Sequence, residues 1–260
     1  MMRNIKIYVI ALAVSIILGY GVANHVDINR DFSHQVGKEV QTVSSTPLKD
    51  LTVCIDPGHG KTTGSNKETE PIAPNAEIQK AANASGTMGV ATGISEASLN
   101  LTVAKKLRES LKQNGAKVIM VRETEVCGLT NVERAKFWNS SKVDLTIRIH
   151  GNGTNDSSVS GVLMMIPGNK YIKDKELLKN SRKAGELVLA GVIEHTKAKS
   201  RGIQETSELT GFNWSRVPVI LLEMGFMTNP EEDKRLNTDD YQNKMVAGIT
   251  EGLIKYVKEK

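Results

Sequence analysis

Residues 51–60, which read LTVCIDPGHG, constrain the fold more than any other stretch of the chain. The first half is a short, nearly unbroken apolar run, which is typical of a buried β-strand. Pro57 and Gly58 end this strand and place His59 in the turn that follows. In open α/β sheets, ligands bind beyond the carboxyl ends of the strands. The position of His59 therefore predicts a functional site, although a turn histidine that only hydrogen-bonds to the backbone is the alternative.

The rest of the chain alternates between helix-like and strand-like segments. Further strands are predicted at residues 116–121, 144–150, 160–166 and 218–222. Helices are predicted from the cap Ser95 to Gly115 and at residues 131–139, 182–196 and 239–258, where apolar residues recur at helical spacing. This alternation predicts an α/β fold, with a single domain built on a mostly parallel sheet and helices on both faces. Residues 61–93 have no clear period and are predicted to be a long irregular insertion.

Residues 1–23 are predicted to be a signal peptide or a membrane anchor. Arg3 and Lys6 precede an uncharged, mostly apolar run. That run is longer than a typical signal core of about 7–15 residues and shorter than the ~20 of a comfortable spanning helix. Because positive charge precedes the apolar run, the part of the chain after residue 23 is predicted to lie outside the cytoplasm, on the extracellular or cell-wall side of the membrane. Residues 24–49 are polar and aperiodic and are predicted to be a linker, so that residues 50–260 form the folded domain.

Charge and cysteine content exclude some classes of function. The formal net charge of +5 suits an anionic partner, but aromatic residues make up only 4% and no basic stripe is interleaved with them, so we expect no nucleic-acid partner. The two cysteines, Cys54 and Cys127, form no CxxC pair, which excludes a zinc ribbon and a thioredoxin-like site. Whether they form a disulfide is left open.

Three predicted strands end on residues that can bind a metal ion: His59, His150 and Glu223. The carboxyl ends of parallel strands line up along one edge of a sheet. Two imidazoles and a carboxylate are the ligand set of a catalytic zinc site. From spacing alone, the carboxylate is either Glu96 or Glu223, and Glu96 also fits a plain charge at a helix N-terminus. Three glutamates of the insertion are further candidates: Glu68, Glu70 and Glu77.

Four motifs resemble the signature blocks of the zinc-dependent N-acetylmuramoyl-L-alanine amidases of bacterial cell walls. They are IDPGHG (55–60), GISEASLNL (93–101), IRIHGNG (147–153) and VPVILLEMGFMTNPEE (217–232), and the resemblance runs from about residue 50 to 260. It implies a roughly six-stranded α/β domain that hydrolyses the amide bond between N-acetylmuramic acid and L-alanine in peptidoglycan.

The resemblance also implies a zinc ion, one per chain, and a role for each candidate residue. His59, Glu96 and His150 would be the metal ligands, and Glu223 the catalytic carboxylate. The sequence departs from the family in two ways: the insertion after His59 is longer than the family's short form, and Arg148 stands where a serine is common.

Three residues are predicted to contact the substrate: Arg148, Asn152 and Arg201. Arg148 lies two positions from His150, on the same face of a strand. A buried guanidinium must be paired, so we expect Arg148 to pair with Glu223 and keep it ionised, with a surface pair as the alternative. Asn152 belongs to the third motif. Arg201 lies in a segment that resembles the stretch flanking the groove of the family, with a plain surface arginine as the alternative.

Two other functions are compatible with these residues. One is another zinc hydrolase of the same polymer, either a peptidase or a deacetylase, which would release different termini. The other is a non-catalytic wall-binding module, which would be expected to lack a ligand or the base, whereas all four candidates are present. The expected partners are peptidoglycan and, through the N-terminal segment, a membrane; we expect a monomer that is open to a protein regulator.

Overall fold

The computed structural model describes residues 46–61 and 69–260, which belong to one compact unit. The predicted signal or anchor at residues 1–23 and most of the predicted linker at residues 24–49 lie outside the described residues. Among the helices that are described, none has both the length and the apolar character needed to cross a membrane.

The described residues form eight strands and six helices. The strands are β1 Thr52–Pro57, β2 Thr69–Pro71, β3 Gln79–Ala81, β4 Lys117–Met120, β5 Leu145–Asn152, β6 Val162–Pro167, β7 Ser200–Thr206 and β8 Val219–Phe226. The helices are α1 Glu96–Gln113, α2 Asn131–Ser140, α3 Lys175–Thr196, α4 Thr210–Asn213, α5 Pro230–Leu236 and α6 Asp239–Lys258.

Six of the strands form one sheet in the order β4-β1-β5-β8-β6-β7. Neighbouring strands are parallel throughout, except that β6 and β8 are antiparallel. The predicted mostly parallel, six-stranded α/β domain is therefore confirmed. The central position of β1, β5 and β8 explains their apolar sequences, because such strands are covered on both faces.

The larger core lies between one sheet face and helices α1, α3 and α6. Alternate strand residues such as Ile55 and Ile147 point into it, whereas Cys54 packs with Trp138 of α2 on the opposite face. Leu48, in the predicted linker, is fully buried in the larger core. The folded domain thus begins before residue 50, which corrects that boundary.

Several elements differ from their predicted form. β7 was missed because its sequence, SRGIQET, is polar and half-exposed at the sheet edge. β5 and β8 continue past His150 and Glu223, so these two residues lie within strands rather than at their ends. The predicted irregular insertion contains the short antiparallel hairpin β2–β3. Cys54 and Cys127 are both free, buried thiols.

Candidate metal centre

His59 is held in an orientation that suits a metal ligand. Its backbone has φ +60°, an uncommon conformation for a residue with a side chain. Nδ1 lies 2.7 Å from the carbonyl oxygen of Ala84, which can only accept, so Nδ1 carries the proton and donates it. The lone pair of Nε2 then points to Oε1 of Glu96, 3.0 Å away. Two facing acceptors need a proton or a metal ion between them.

Glu96 begins helix α1, but its carboxylate turns inward and the residue is 3% exposed. Ser95 caps the helix instead, because its side chain accepts from the backbone N–H of Ser98. Oε1 of Glu96 lies 3.0 Å from both His59 Nε2 and His150 Nδ1. Burial alone would raise the pKa of Glu96, but His150 and His59, which donate hydrogen bonds and carry charge when they are protonated, hold that pKa well below its usual range. The ionised carboxylate is the form that binds a metal.

His150 lies in β5, two residues before the strand ends, beside the turn that carries His59. The two imidazole rings are nearly perpendicular, with centroids 4.9 Å apart. Gly58 makes room for this arrangement, since a Cβ at that position would overlap the His150 ring. Burial lowers the pKa of His150 to about 4 despite the hydrogen bond to Glu96, so the ring is neutral at pH 7. Neutral imidazole is the ligand form of histidine.

The three side chains fit a zinc ion. Their ligand atoms all lie within 4.8 Å of one another. Ligand atoms about 2.0–2.1 Å from a tetrahedral zinc would be about 3.3 Å apart, close to the 3.0 Å that separates Glu96 Oε1 from each histidine nitrogen. Backbone N–H groups of Thr87 and Gly151 donate to the Glu96 carboxylate and orient it. Three protein ligands leave a fourth position for water, as in catalytic zinc sites.

Glu223 lies beside this cluster, on the strand next to His150. The two residues are directly opposite in the β5–β8 register. Glu223 Oε2 is buried and has no hydrogen-bond partner among the described residues. Burial, together with the negative charge of Glu96, raises the pKa of Glu223 to about 8, and the positive charge of Arg148 offsets part of this rise.

The predicted pairing of Arg148 with Glu223 is wrong. Arg148 Nε donates to Asp56 Oδ2 at 2.8 Å, because the β1–β5 register places Asp56 directly opposite Arg148. The opposite neighbour of Arg148 on β8 is Leu221 rather than Glu223. Arg148 therefore acts on Glu223 through its charge and does not hold it ionised near neutral pH.

Sequence reasoning missed the buried ionic network behind the site. Asp56 is fully buried and also accepts a hydrogen bond of 2.6 Å from Arg134, which holds the pKa of Asp56 below its usual range even though burial opposes this. Arg134 donates in addition to the carbonyl oxygen of His59 at 2.6 Å. An aspartate inside an apolar strand was the available signal, because a buried charge requires a partner.

The other two predicted substrate contacts form hydrogen bonds outside the cluster of His59, Glu96 and His150. Asn152 accepts from the backbone N–H of Gly153 at 2.8 Å. Arg201 donates to the carbonyl of Ser160 at 3.2 Å, and its guanidinium lies 5.3 Å from the Phe226 ring centroid.

Two cavities adjoin the cluster. The smaller, of about 40 Å³, is lined by His59 and His150 together with Arg134 and Arg148. The other, of about 340 Å³, is an open groove beside the His59 turn, lined by Gly60, Lys61, Asn83, Ala84, Ser85, Ser95 and Ala97. A larger cavity of about 680 Å³, around Asn229 and Thr238, includes no member of the histidine–glutamate cluster. The groove is lined by residues that flank His59 and Glu96 in sequence, Gly60, Ser95 and Ala97, and by Ala84, whose carbonyl accepts from His59.

Comparison with known proteins gives consistent matches. The family described as N-acetylmuramoyl-L-alanine amidase matches residues 53–255. The chain is 26% identical to the uncharacterized protein YqiI of Bacillus subtilis over 82% of this chain and 88% of that protein. It is 28% identical to the germination-specific N-acetylmuramoyl-L-alanine amidase of B. subtilis, over 83% of this chain and 84% of that protein. The crystal structure of an N-acetylmuramoyl-L-alanine amidase from Clostridium difficile 630 is 28% identical, with a TM-score of 0.66 over 81% of this chain and 98% of the other.

Proposed function

The chain belongs to the N-acetylmuramoyl-L-alanine amidase family, and on this premise we propose that it is a zinc-dependent hydrolase of the amide bond between N-acetylmuramic acid and L-alanine in peptidoglycan. Membership of this family implies that the chain hydrolyses an amide bond in the cell wall. The observation that supports zinc is the convergence of His59, Glu96 and His150 on one point, with the unpartnered carboxyl of Glu223 beside them. His59, Glu96 and His150 would hold the ion.

Each side chain has a chemical task in this proposal. A bound zinc ion supplies positive charge that polarises the amide carbonyl, lowers the pKa of its water to about 7 and favours the ionised form of Glu223. Glu223 accepts the proton of the attacking water and passes it to the nitrogen of the leaving L-alanine, because an amine leaves poorly until it is protonated. The Ala84 carbonyl keeps the His59 proton on Nδ1, so that Nε2 stays free for the ion.

The groove beside His59 is the proposed path of the peptidoglycan strand. We keep Asn152 and Arg201 as proposed substrate contacts. Arg148 is 4% exposed and its Nε is taken by Asp56, so its proposed contribution is electrostatic and directed at Glu223.

The N-terminal part of the chain is proposed to serve export and to tether the domain. Residues 1–23 are proposed to export the protein or anchor it in the membrane, with the catalytic domain on the cell-wall side. Residues after 23 and before the folded domain are the proposed spacer. A monomer, open to a protein regulator, remains the expected state.

Digestion of purified peptidoglycan tests the activity. An amidase frees the amino group of L-alanine and leaves the glycan strands intact, so we expect new N-terminal alanine and no new reducing sugar ends. Amino termini at other residues would indicate a peptidase, and release of acetate a deacetylase. An absence of all cleavage alongside retained binding to the wall would indicate a binding module.

Metal analysis tests the proposed centre. We expect one zinc ion per chain, loss of activity on chelation, and recovery when zinc is restored. His59→Ala and His150→Ala should each lose zinc. His195→Ala is the matched control, because His195 pairs with Glu251 on helix α6 at 2.7 Å, outside the cluster. Full zinc content in both His59→Ala and His150→Ala would refute the ligand assignment.

A further inference from the structure

Arg122 is a buried arginine that the proposed reaction does not use. It follows strand β4 and is 5% exposed. Its guanidinium donates to four backbone carbonyl oxygens and to no carboxylate among the described residues: Nε to Pro57 at 2.9 Å, Nη1 to Thr124 at 3.0 Å, and Nη2 to Gly58 at 2.9 Å and Ala97 at 2.7 Å. Burying a charge in this way is unfavourable unless its donors are satisfied, and here every nitrogen has a partner.

Three of the four carbonyls belong to the segments that carry two of the candidate ligands, and the fourth, that of Thr124, lies two residues after Arg122 itself. Pro57 and Gly58 immediately precede His59, and Ala97 immediately follows Glu96. One nitrogen, Nη2, bonds to both segments at once. A single planar group thus connects the end of β1 to the first turn of α1 and sets the spacing between them.

The turn at His59 needs such support. Its positive φ is sparsely populated for a residue with a Cβ and persists only where the surroundings determine it. On one side the Gly58 peptide is pressed against the His150 ring, where no Cβ would fit. On the other side its carbonyl accepts from Arg122. The Gly58 peptide is therefore held between the ring of one ligand and the guanidinium.

We propose that Arg122 is a positioning residue that fixes the distance between His59 and Glu96 and thereby sets the affinity for zinc. This proposal rests on the zinc site of the proposed function. Lysine keeps the charge but has one compact ammonium in place of a planar fork, so it cannot reach the carbonyls of Pro57, Gly58 and Ala97 together.

The test compares Arg122→Lys with Arg108→Lys. Arg108 lies on helix α1, as Glu96 does, and its Nη1 donates to Glu123, the residue that follows Arg122 in sequence. Among the described residues, the Arg108 side chain forms no hydrogen bond to the segments that carry His59 and Glu96. Zinc affinity is measured by competition with a chromogenic chelator, and thermal unfolding is followed with EDTA and with saturating zinc. We expect Arg122→Lys to bind zinc about 10–100-fold more weakly, the range for groups that orient metal ligands. Its zinc-induced rise in Tm should shrink accordingly, whereas Arg108→Lys should match the wild type.

The outcomes are distinct. Wild-type zinc affinity in Arg122→Lys would overturn the proposal even if the metal-free Tm fell, because the guanidinium would then support only the fold. If Arg122→Lys shows no cooperative unfolding, the same measurement on Arg122→Gln, which removes the buried charge and keeps a polar group, decides in the same way. A wild-type protein that holds no zinc would instead refute the proposed metal centre itself.

Discussion

The substitution Glu223→Gln is expected to stabilise the metal-free protein at alkaline pH while it removes activity. Glutamine has nearly the same shape as glutamate and no charge. In the metal-free protein, burial and the charge of Glu96 raise the pKa of Glu223 to about 8. In the unfolded chain the same carboxyl has its ordinary pKa of 4.5.

The sign of the effect follows from proton binding. Below about pH 4.5 the carboxyl is protonated in both states, so folding carries no penalty from it. Between pH 4.5 and 8 the unfolded chain releases the proton and the folded chain keeps it, so the free energy of unfolding falls as the pH rises. Above about pH 8 the loss is complete. The glutamine variant has no such loss, and the titration of His150 is common to both proteins.

The size of the effect can be worked from the same values. One pKa unit corresponds to about 1.36 kcal/mol, so a pKa of about 8 in place of 4.5 is worth at most about 5 kcal/mol. Glu223 is partly exposed, and contact with solvent reduces the expected difference to about 2–4 kcal/mol.

Urea denaturation in EDTA at pH 5 and pH 8 measures this difference. Glu223→Gln should gain stability relative to wild type between the two values. With zinc restored, it should keep the metal and lose about 10²–10⁴-fold in rate, as for removal of a general base. Equal pH dependence of the two proteins would refute the burial argument. Loss of zinc in the variant would mean that Glu223 is a ligand rather than the base.

Three further predictions concern residues around the site and the domain boundary. Arg148→Ser should retain zinc and move the acidic limb of the pH–rate profile to higher pH, because the Arg148 charge lowers the pKa of Glu223; an unchanged limb would remove this electrostatic role. Gly58→Ala should lower zinc content in metal analysis, since its Cβ would displace the His150 ring, and full zinc occupancy would contradict that packing. A chain starting at residue 46 should unfold in urea like the full chain, whereas Leu48→Ala should lose about 2–5 kcal/mol; a loss under 1 kcal/mol would show that Leu48 is not a core residue.

The fold was predictable because buried strands and amphipathic helices leave periodic patterns in the sequence. The apolar runs at β1, β5 and β8 reflect burial on both faces, and the final helix α6 was predicted with the bounds that the structure has. Strand β7 left no such pattern, since an exposed edge strand tolerates polar residues. The hairpin β2–β3 is too short to show a period.

Residues alone indicated which side chains could bind a metal ion, because imidazole and carboxylate chemistry is carried by residue type and the carboxyl ends of parallel strands meet. Local sequence did not separate a capping role for Glu96 from an inward one; only packing turned its carboxylate between the two histidines. Charge partners were also decided by tertiary structure. Asp56 and Arg148 are 92 positions apart, and the register of two neighbouring strands brings them together. Register and burial depend on the whole sheet, so no local pattern could have paired Arg148 with Asp56 rather than Glu223.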